Sequence, residues 1–354
     1  MPKNILDQFE EETGIHVNYD VFDNNEMLEA KLLATNSGYD VVFPTVTPYG
    51  ARQLLLHVYQ KIDKSLLPSL CKVEPILVEK MSNIDVHMDF LLPYYWGTTG
   101  IAFDEDTLNK VIPDDSKNSN NLLFDINILK KISPYGVSLL QEPVDVFPPF
   151  FEYSGLGRDN RSFEDLWYAS QCLSEISRYV RRFSSSRFIV DLVLGEVCVA
   201  QAWSGEALRA IEDAKKVGRN IRYIIPKEGG DIWIDAIAIP KGAPNVANAH
   251  AFINFLLRPD VSAQITNATQ IATMVTDAKP FIQKEILNNS LIFPTDDVLS
   301  TLFISPVCSG READAYERVR MRMWAQIKML RPMTKAYFDK TVQKQTARNK
   351  SYTN

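Results

Sequence analysis

The chain has 354 residues, 45% of them hydrophobic and 23% charged, with a formal net charge of -6. This is the composition of a folded protein long enough for two domains. The acidic balance argues against nucleic acid as a partner, because nucleic acid is held by Lys and Arg neutralising phosphates; it leans towards a cationic ligand, an effect that salt screens. No apolar run of about 18 residues reads as a membrane span, and Met1-Pro2-Lys3-Asn4 leads into an amphipathic helix without the pattern of a secretory leader. Cys71, Cys172, Cys198 and Cys308 are scattered without CxxC spacing. No metal is therefore expected, and buried free thiols are favoured over a Cys172 to Cys198 disulfide.

In chain order, residues 3–13 read as a helix with Ile5, Leu6 and Phe9 inward and Gly14 as its stop. Ile15 to Val21 alternates as a strand. Asn25 opens a helix with Met27, Leu28, Leu32 and Leu33 inward, and Val41-Val42-Phe43 is a buried strand closed by Pro44. This α-β-α-β order predicts a mostly parallel sheet with helices on its faces. Phe90 to Pro93 and Gly100 to Phe103 read as strands flanking an aromatic corner, Tyr94-Tyr95-Trp96-Gly97. A polar loop over 112–121 precedes a helix at 126–132, a strand at 137–140, and helices at 163–180 and 189–194, the last stopped by Gly195. Further helices are expected at 246–257, 261–268, 280–288 and 311–330. The last carries a core stripe of Tyr316, Val319, Met323, Trp324, Ile327 and Met329, and a basic frayed tail begins at Arg331.

Two stretches carry chemistry. In Gly229 to Pro240 a period of two sends Trp233 and Asp235 out of one strand face and Ile232, Ile234, Ala236 and Ala238 out of the other. An aromatic plate beside a carboxylate suits a ligand with an apolar body and a positive end; a buried Trp beside a capping Asp has the same pattern. Upstream, Val197 to Trp203 reads as a buried strand that turns through Ser204-Gly205-Glu206 into a helix. That places a second Trp and acid at a strand end, where open α/β sheets hold their ligands, although an acid in a first helical turn also complements the helix dipole. His16, His57, His87 and His250 are isolated, and no GxSxG, P-loop or HExxH pattern occurs, so no enzyme is expected.

Seven segments in order, Asp40-Val41-Val42-Phe43-Pro44-Thr45, Tyr59 to Ser65, Leu92 to Gly100, Trp203-Ser204-Gly205-Glu206, Pro226 to Gly230, the Trp233 run and Ile253 to Asp260, resemble the polyamine-binding proteins of bacterial ABC importers, nearer the putrescine-binding branch. The resemblance implies an α/β, two-lobed periplasmic-binding-protein fold of type II, each lobe a mostly parallel sheet flanked by helices. Its lobes would be 1–103 plus 234–280 and 104–233 plus 281–330, with 331–354 a tail. It implies a monomer without cofactor that captures a small polyamine between the lobes and delivers it to an ABC permease in the inner membrane.

The ligand residues it implies are Trp203, Glu206, Trp233, Asp235 and Thr45, the last also a candidate helix cap, with Glu142 and Asp145 reaching from the other lobe or serving as caps. Two positions depart from the pattern. Arg187 stands where a carboxylate is implied and would repel a diamine unless it turns outward, and Ile271 replaces a pocket tyrosine. The family's first strand and export signal would precede Pro2, so periplasmic location is implied by resemblance and cytoplasmic retention by a shortened chain. The rival reading is a truncated or degenerate paralogue that keeps the fold, binds another ligand or none, and acts as an interaction protein.

Overall fold

The structure, a computed structural model, describes residues 1–22, 25–34, 37–70, 73–112, 116–158, 160, 162–304 and 311–328. Cys71, Cys308, Met329, part of the 112–121 loop and the tail from Arg331 lie outside the described residues. Two compact units divide the chain: Met1–Gly97 with Ile232–Val307, and Thr98–Asp231 with Cys308–Asn354. Among the described residues the strands are β1 (Tyr59–Gln60), β2 (Leu92–Asp104), β3 (Val137–Leu139), β4 (Arg182–Phe183), β5 (Val199–Trp203), β6 (Ile221–Ile224), β7 (Ile232–Ile237), β8 (Ile239–Pro240) and β9 (Ala272–Thr273).

The first unit opens with the helix Lys3–Thr13, which buries Ile5 and Phe9 and stops at Gly14 in the left-handed region, φ 71°. Phe9 packs on Phe252 and Phe255 of the helix Val246–Leu256 at ring distances of 5.0 and 5.3 Å. The strand expected over Ile15 to Val21 does not form. Burial alternates at its start, with Ile15 and Val17 partly buried and His16 and Asn18 exposed, but among the described residues no strand pairs with it, and the Val17 N–H donates to Glu10 Oε1 at 2.7 Å instead. The helix Asn25–Leu33 buries Leu28 and Leu32 but leaves Met27 and Leu33 exposed, a narrower apolar stripe than expected. At 41–43 only Val42 bridges, antiparallel to Ala238. Residues 281–304, expected in the other lobe, belong here: Lys80 Nζ donates to Leu302 O at 2.9 Å, Ile232 N to Phe303 O at 2.6 Å and Gln283 N to Asn267 Oδ1 at 2.9 Å.

The second unit holds the order β4-β3-β5-β2-β6. β3 runs parallel to β4 and β5, whereas β2 is antiparallel to β5, from Thr99 opposite Trp203 to Phe103 opposite Val199, and antiparallel to β6. The sheet is therefore mixed rather than mostly parallel, because β2 reverses the direction set by β3 and β5. Nor is there a corner at Tyr94 to Gly97. Those residues continue β2 as one buried strand, and Tyr95 and Trp96 pair with Thr273 and Ala272 of β9 in the first unit. Gly100 permits the contact of β2 with β6, since a Cβ there would meet Ile224 O at 2.2 Å.

The core behind this sheet includes Ile101, Phe103, Leu122, Leu139, Phe147, Phe151, Leu173 and Val199, each large side chain contributing about 1.5–3 kcal/mol by burial. The helix Arg311–Lys328 closes it with the expected stripe, burying Tyr316, Val319, Met323, Trp324 and Ile327. Trp324 packs edge-on against Phe147 and Phe183, and its indole N–H donates to Gln141 O at 2.6 Å. Cys172 and Cys198 are both free thiols, and burial pushes the Cys198 thiol up to about 12. Among the described residues no helix is long and apolar enough to cross a membrane.

Candidate functional site

Each unit carries its own cluster of candidate groups. In the first, β7 alternates as its sequence requires: Ile232, Ile234 and Ala236 are buried, and Trp233 and Asp235 are partly buried. Thr45 forms an antiparallel bridge with Asp235. Its hydroxyl donates to Asp235 Oδ1 at 2.8 Å and accepts from Asn25 Nδ2 at 2.9 Å, while its own N–H donates to Asn25 Oδ1 at 3.0 Å. The hydroxyl of Thr45 is thus spent on the acid and makes no cap bond to the turn that follows. The amide of Asn25 orients the hydroxyl, and the hydroxyl orients the carboxylate.

Burial pushes the Asp235 carboxyl up to about 6, against the lowering effect of the Thr45 hydrogen bond. Among the described residues Asp235 has no ion-pair partner, and the buried Trp233 Nε1 has no hydrogen-bond partner. Ile271 sits partly buried on the turn between the helix Pro259–Thr269 and β9, just after Gln270 in the left-handed region. An apolar side chain there adds nothing to the hydrogen-bonded chain from Asn25 to Asp235.

In the second unit Trp203 ends β5 and precedes the helix Ser204–Lys216. The acid that meets its indole is not Glu206, the neighbour in sequence, but Asp145: Trp203 Nε1 donates to Asp145 Oδ1 at 3.3 Å. Asp145 lies in the first turn of the helix Pro143–Tyr153 and is 8% exposed. Gln201, a buried polar residue inside β5, donates to the Asp145 carbonyl at 2.5 Å and accepts from Leu140 N at 3.3 Å, which fixes this turn against the strand. Phe188 places its edge against Trp203 at 6.4 Å.

Burial pushes the Asp145 carboxyl up to about 7; the indole hydrogen bond lowers it and the charge of Glu142 raises it. No ion pair reaches Asp145 among the described residues. Glu206 is partly buried in the first turn of its helix, and its charge helps raise the Tyr223 hydroxyl, which is raised mainly by burial. Glu142 precedes the helix Pro143–Tyr153 and makes no side-chain cap bond to it.

Arg187 turns to solvent. Its side chain is 60% exposed and pairs at 3.5 Å with Asp191, one turn further along and itself paired with Arg182 at 3.2 Å. Arg187 and Arg182 thus share one carboxylate, and water screens the exposed Arg187 guanidinium. Sequence reasoning missed Asn25, Gln201 and Phe188. Only Gln201 left a signal, as the single amide in the apolar run Val197 to Ala202.

His250 is structural. Its Nε2 accepts from Asp63 N at 2.9 Å, which leaves the proton on Nδ1, 2.8 Å from Val246 O. Among the described residues no group of three or more His, Cys, Asp or Glu is placed to hold a metal ion.

Known proteins resemble this chain over most of its length. The family described as bacterial extracellular solute-binding protein matches residues 1–263. The putrescine-binding periplasmic protein SpuD of Pseudomonas aeruginosa is 36% identical over 91% of this chain and 88% of its own length. The putrescine-binding periplasmic protein PotF of Escherichia coli is 38% identical over 90% of this chain and 86% of its own length. Among solved structures, a spermidine/putrescine ABC transporter protein of Listeria monocytogenes, described as putative, superposes with a TM-score of 0.80 at 25% identity, covering 94% of this chain and 96% of that one. The substrate-binding protein PotD of Streptococcus pneumoniae gives 0.78 at 22% identity, covering 93% and 96%, a likeness of fold. The chain belongs to the bacterial extracellular solute-binding proteins, and is a binding component of transport rather than an enzyme.

Proposed function

We propose that this chain captures a small linear polyamine of the putrescine type in the periplasm, as a monomer, and delivers it to an ABC permease in the inner membrane. The observation that carries the reading is a pair of desolvated acids, Asp235 and Asp145, for which the described residues supply no cation. A buried carboxylate is costly unless paired, and an alkyl diammonium ion brings two charges on one flexible apolar stem. One ammonium group is assigned to Asp235 and Thr45 beside Trp233. The other is assigned to Asp145 and Glu206 beside Trp203, with Glu142 adding negative potential. Each indole face contributes about 0.5–2 kcal/mol to a desolvated cation, and each buried methylene about 0.8 kcal/mol. Arg187 is given no part in holding the amine, and Ile271 offers it apolar surface only. The names of the relatives support the same ligand class.

Isothermal titration of the folded protein with putrescine, spermidine, agmatine and arginine tests this. Saturable heat with a diamine, lost in Asp235→Asn, is expected. A folded protein that gives no heat with any of the four refutes the reading.

A further inference from the structure

The ladder between β2 and β5 ends where the turn bearing Trp203 and Glu206 begins. Asp104 N donates to Cys198 O at 2.8 Å, and hydrogen-bonded pairs recur at every second residue of an antiparallel ladder. Ala102 and Gly100 fall on that alternation, opposite Ala200 and Ala202, and the register runs on to Thr99 opposite Trp203. The next hydrogen-bonded pair would be Thr98 with Ser204. Ser204 instead opens the helix Ser204–Lys216, so its backbone leaves the ladder, while Thr98 is buried and its N–H and C=O need partners.

Two side chains replace the missing pair. Thr98 N donates to Ser204 Oγ at 3.2 Å, and Thr98 O accepts from the Tyr223 hydroxyl at 2.9 Å. The phenol has a single proton, so in the remaining contact, 2.9 Å between Thr98 Oγ1 and Tyr223 Oη, the threonine donates. Tyr223 stands opposite Ala102 on β6 and reaches Thr98 over Gly100, where a Cβ would meet its hydroxyl at 2.7 Å. Ser204 and Tyr223 are themselves buried. Burial raises the Tyr223 phenol, the Thr98 hydrogen bond lowers it and the charge of Glu206 raises it, so this group of hydroxyls sits within electrostatic reach of that acid.

We propose that Ser204 and Tyr223 are positioning residues for amine binding: their hydroxyls stand in for the backbone of a strand that stops at Trp203, and so fix the turn from which Trp203 and Glu206 project. Neither is assigned a contact with the amine. The role rests on capture of an amine by this chain, and adds to it the groups that hold one end of the amine's surroundings in place.

Ser204→Ala and Tyr223→Phe, each in the full chain, test this. Each is expected to weaken putrescine binding about ten-fold by calorimetry, the worth of one hydrogen bond. In the ligand-free protein the Asp145 carboxyl, followed by NMR, is expected to titrate higher in both, because the indole that donates to it at 3.3 Å is no longer held; the Asp235 carboxyl is expected to stay where it is. The Thr98 amide is expected to exchange about ten-fold faster in Ser204→Ala. Ser170→Ala removes an equally buried hydroxyl of the same unit, bonded to Leu166 O at 2.7 Å, and should lower the melting temperature without moving putrescine affinity or the Asp145 titration. Putrescine affinity and Asp145 titration unchanged in both variants overturn the positioning role and leave amine capture standing. So does a loss of affinity that Ser170→Ala reproduces. A wild type that gives no putrescine heat overturns both.

Discussion

The two Trp and acid clusters are built differently. On β7 the indole and the carboxylate are two residues apart on one strand face, and the acid is oriented by a chain of neutral donors, Asn25 to Thr45 to Asp235. At the end of β5 the indole itself is the donor, and its acid arrives from the helix Pro143–Tyr153, 58 positions earlier in the chain. A hydroxyl holds Asp235 and leaves the Trp233 N–H unspent, whereas Trp203 spends its N–H on Asp145. The difference teaches that a carboxylate can be presented by strand alternation alone or by tertiary packing, and only the first kind is visible as a spacing.

The sharpest way to separate the clusters is to neutralise each acid. Asp235→Asn and Asp145→Asn are each expected to weaken diamine binding about 100-fold by calorimetry, within the 2–5 kcal/mol typical of breaking a buried charge pair. If only one does so, the other cluster takes no part in holding the amine.

Acidity gives the next largest effect, with opposite signs for binding and stability. Both carboxyls titrate higher in the folded chain than a free carboxylate does, at about 6 and about 7. Their folded environment therefore favours the protonated form. On this account the contribution of these acids to the stability of the ligand-free protein is full below about pH 4, falls by on the order of 3–4 kcal/mol for each acid as pH rises from there through 6–7, and levels off above. A cation prefers the ionised acids, so diamine affinity should climb by on the order of 100-fold between pH 5.5 and 8 if both acids hold the amine. Thermal melts with and without putrescine across this range check both signs; parallel pH profiles break the scheme.

The indoles come third. Trp203→Ala and Trp233→Ala should each cost about 0.5–2 kcal/mol of binding. The Trp203 variant should also move the Asp145 titration upward, since it removes that acid's donor, and the Trp233 variant should leave the Asp235 titration in place; NMR titration of the carboxyl resonances distinguishes them. Thr45→Val is smaller still, costing about 1 kcal/mol of binding, the worth of one hydrogen bond, with a raised Asp235 titration. At the bottom of the scale, Arg187→Gln should change diamine affinity less than two-fold, because its charge is exposed and paired with Asp191.

The helices at 3–13 and 188–194 were legible because an apolar run ends at a left-handed glycine, Gly14 and Gly195, and those at 163–176, 204–216 and 246–256 because of their apolar period. The face of β7 was legible for the same kind of reason, since local order and local pattern coincide there. Ile15 to Val21 failed because a strand needs a partner, which periodicity does not supply. The aromatic corner failed because Tyr94 to Gly97 is buried on both faces, so its run carries no alternation to read. Glu206 drew attention as the acid beside Trp203 in sequence, and Asp145 proved to be the acid beside it in space, a choice made by Gln201 holding the Pro143–Tyr153 turn against β5.

The helix Arg311–Lys328 has a consequence for the order in which this protein is finished. Its Trp324 caps the carbonyl of Gln141, four residues before Asp145, and presses on Phe147, two residues after it. The segment bearing Asp145 is thus clamped from behind by a helix that is synthesised more than about 160 residues later. A nascent chain that has already made Trp203 and Trp233 still lacks that clamp, so the Asp145 segment is held in place only once residues up to 328 have been added.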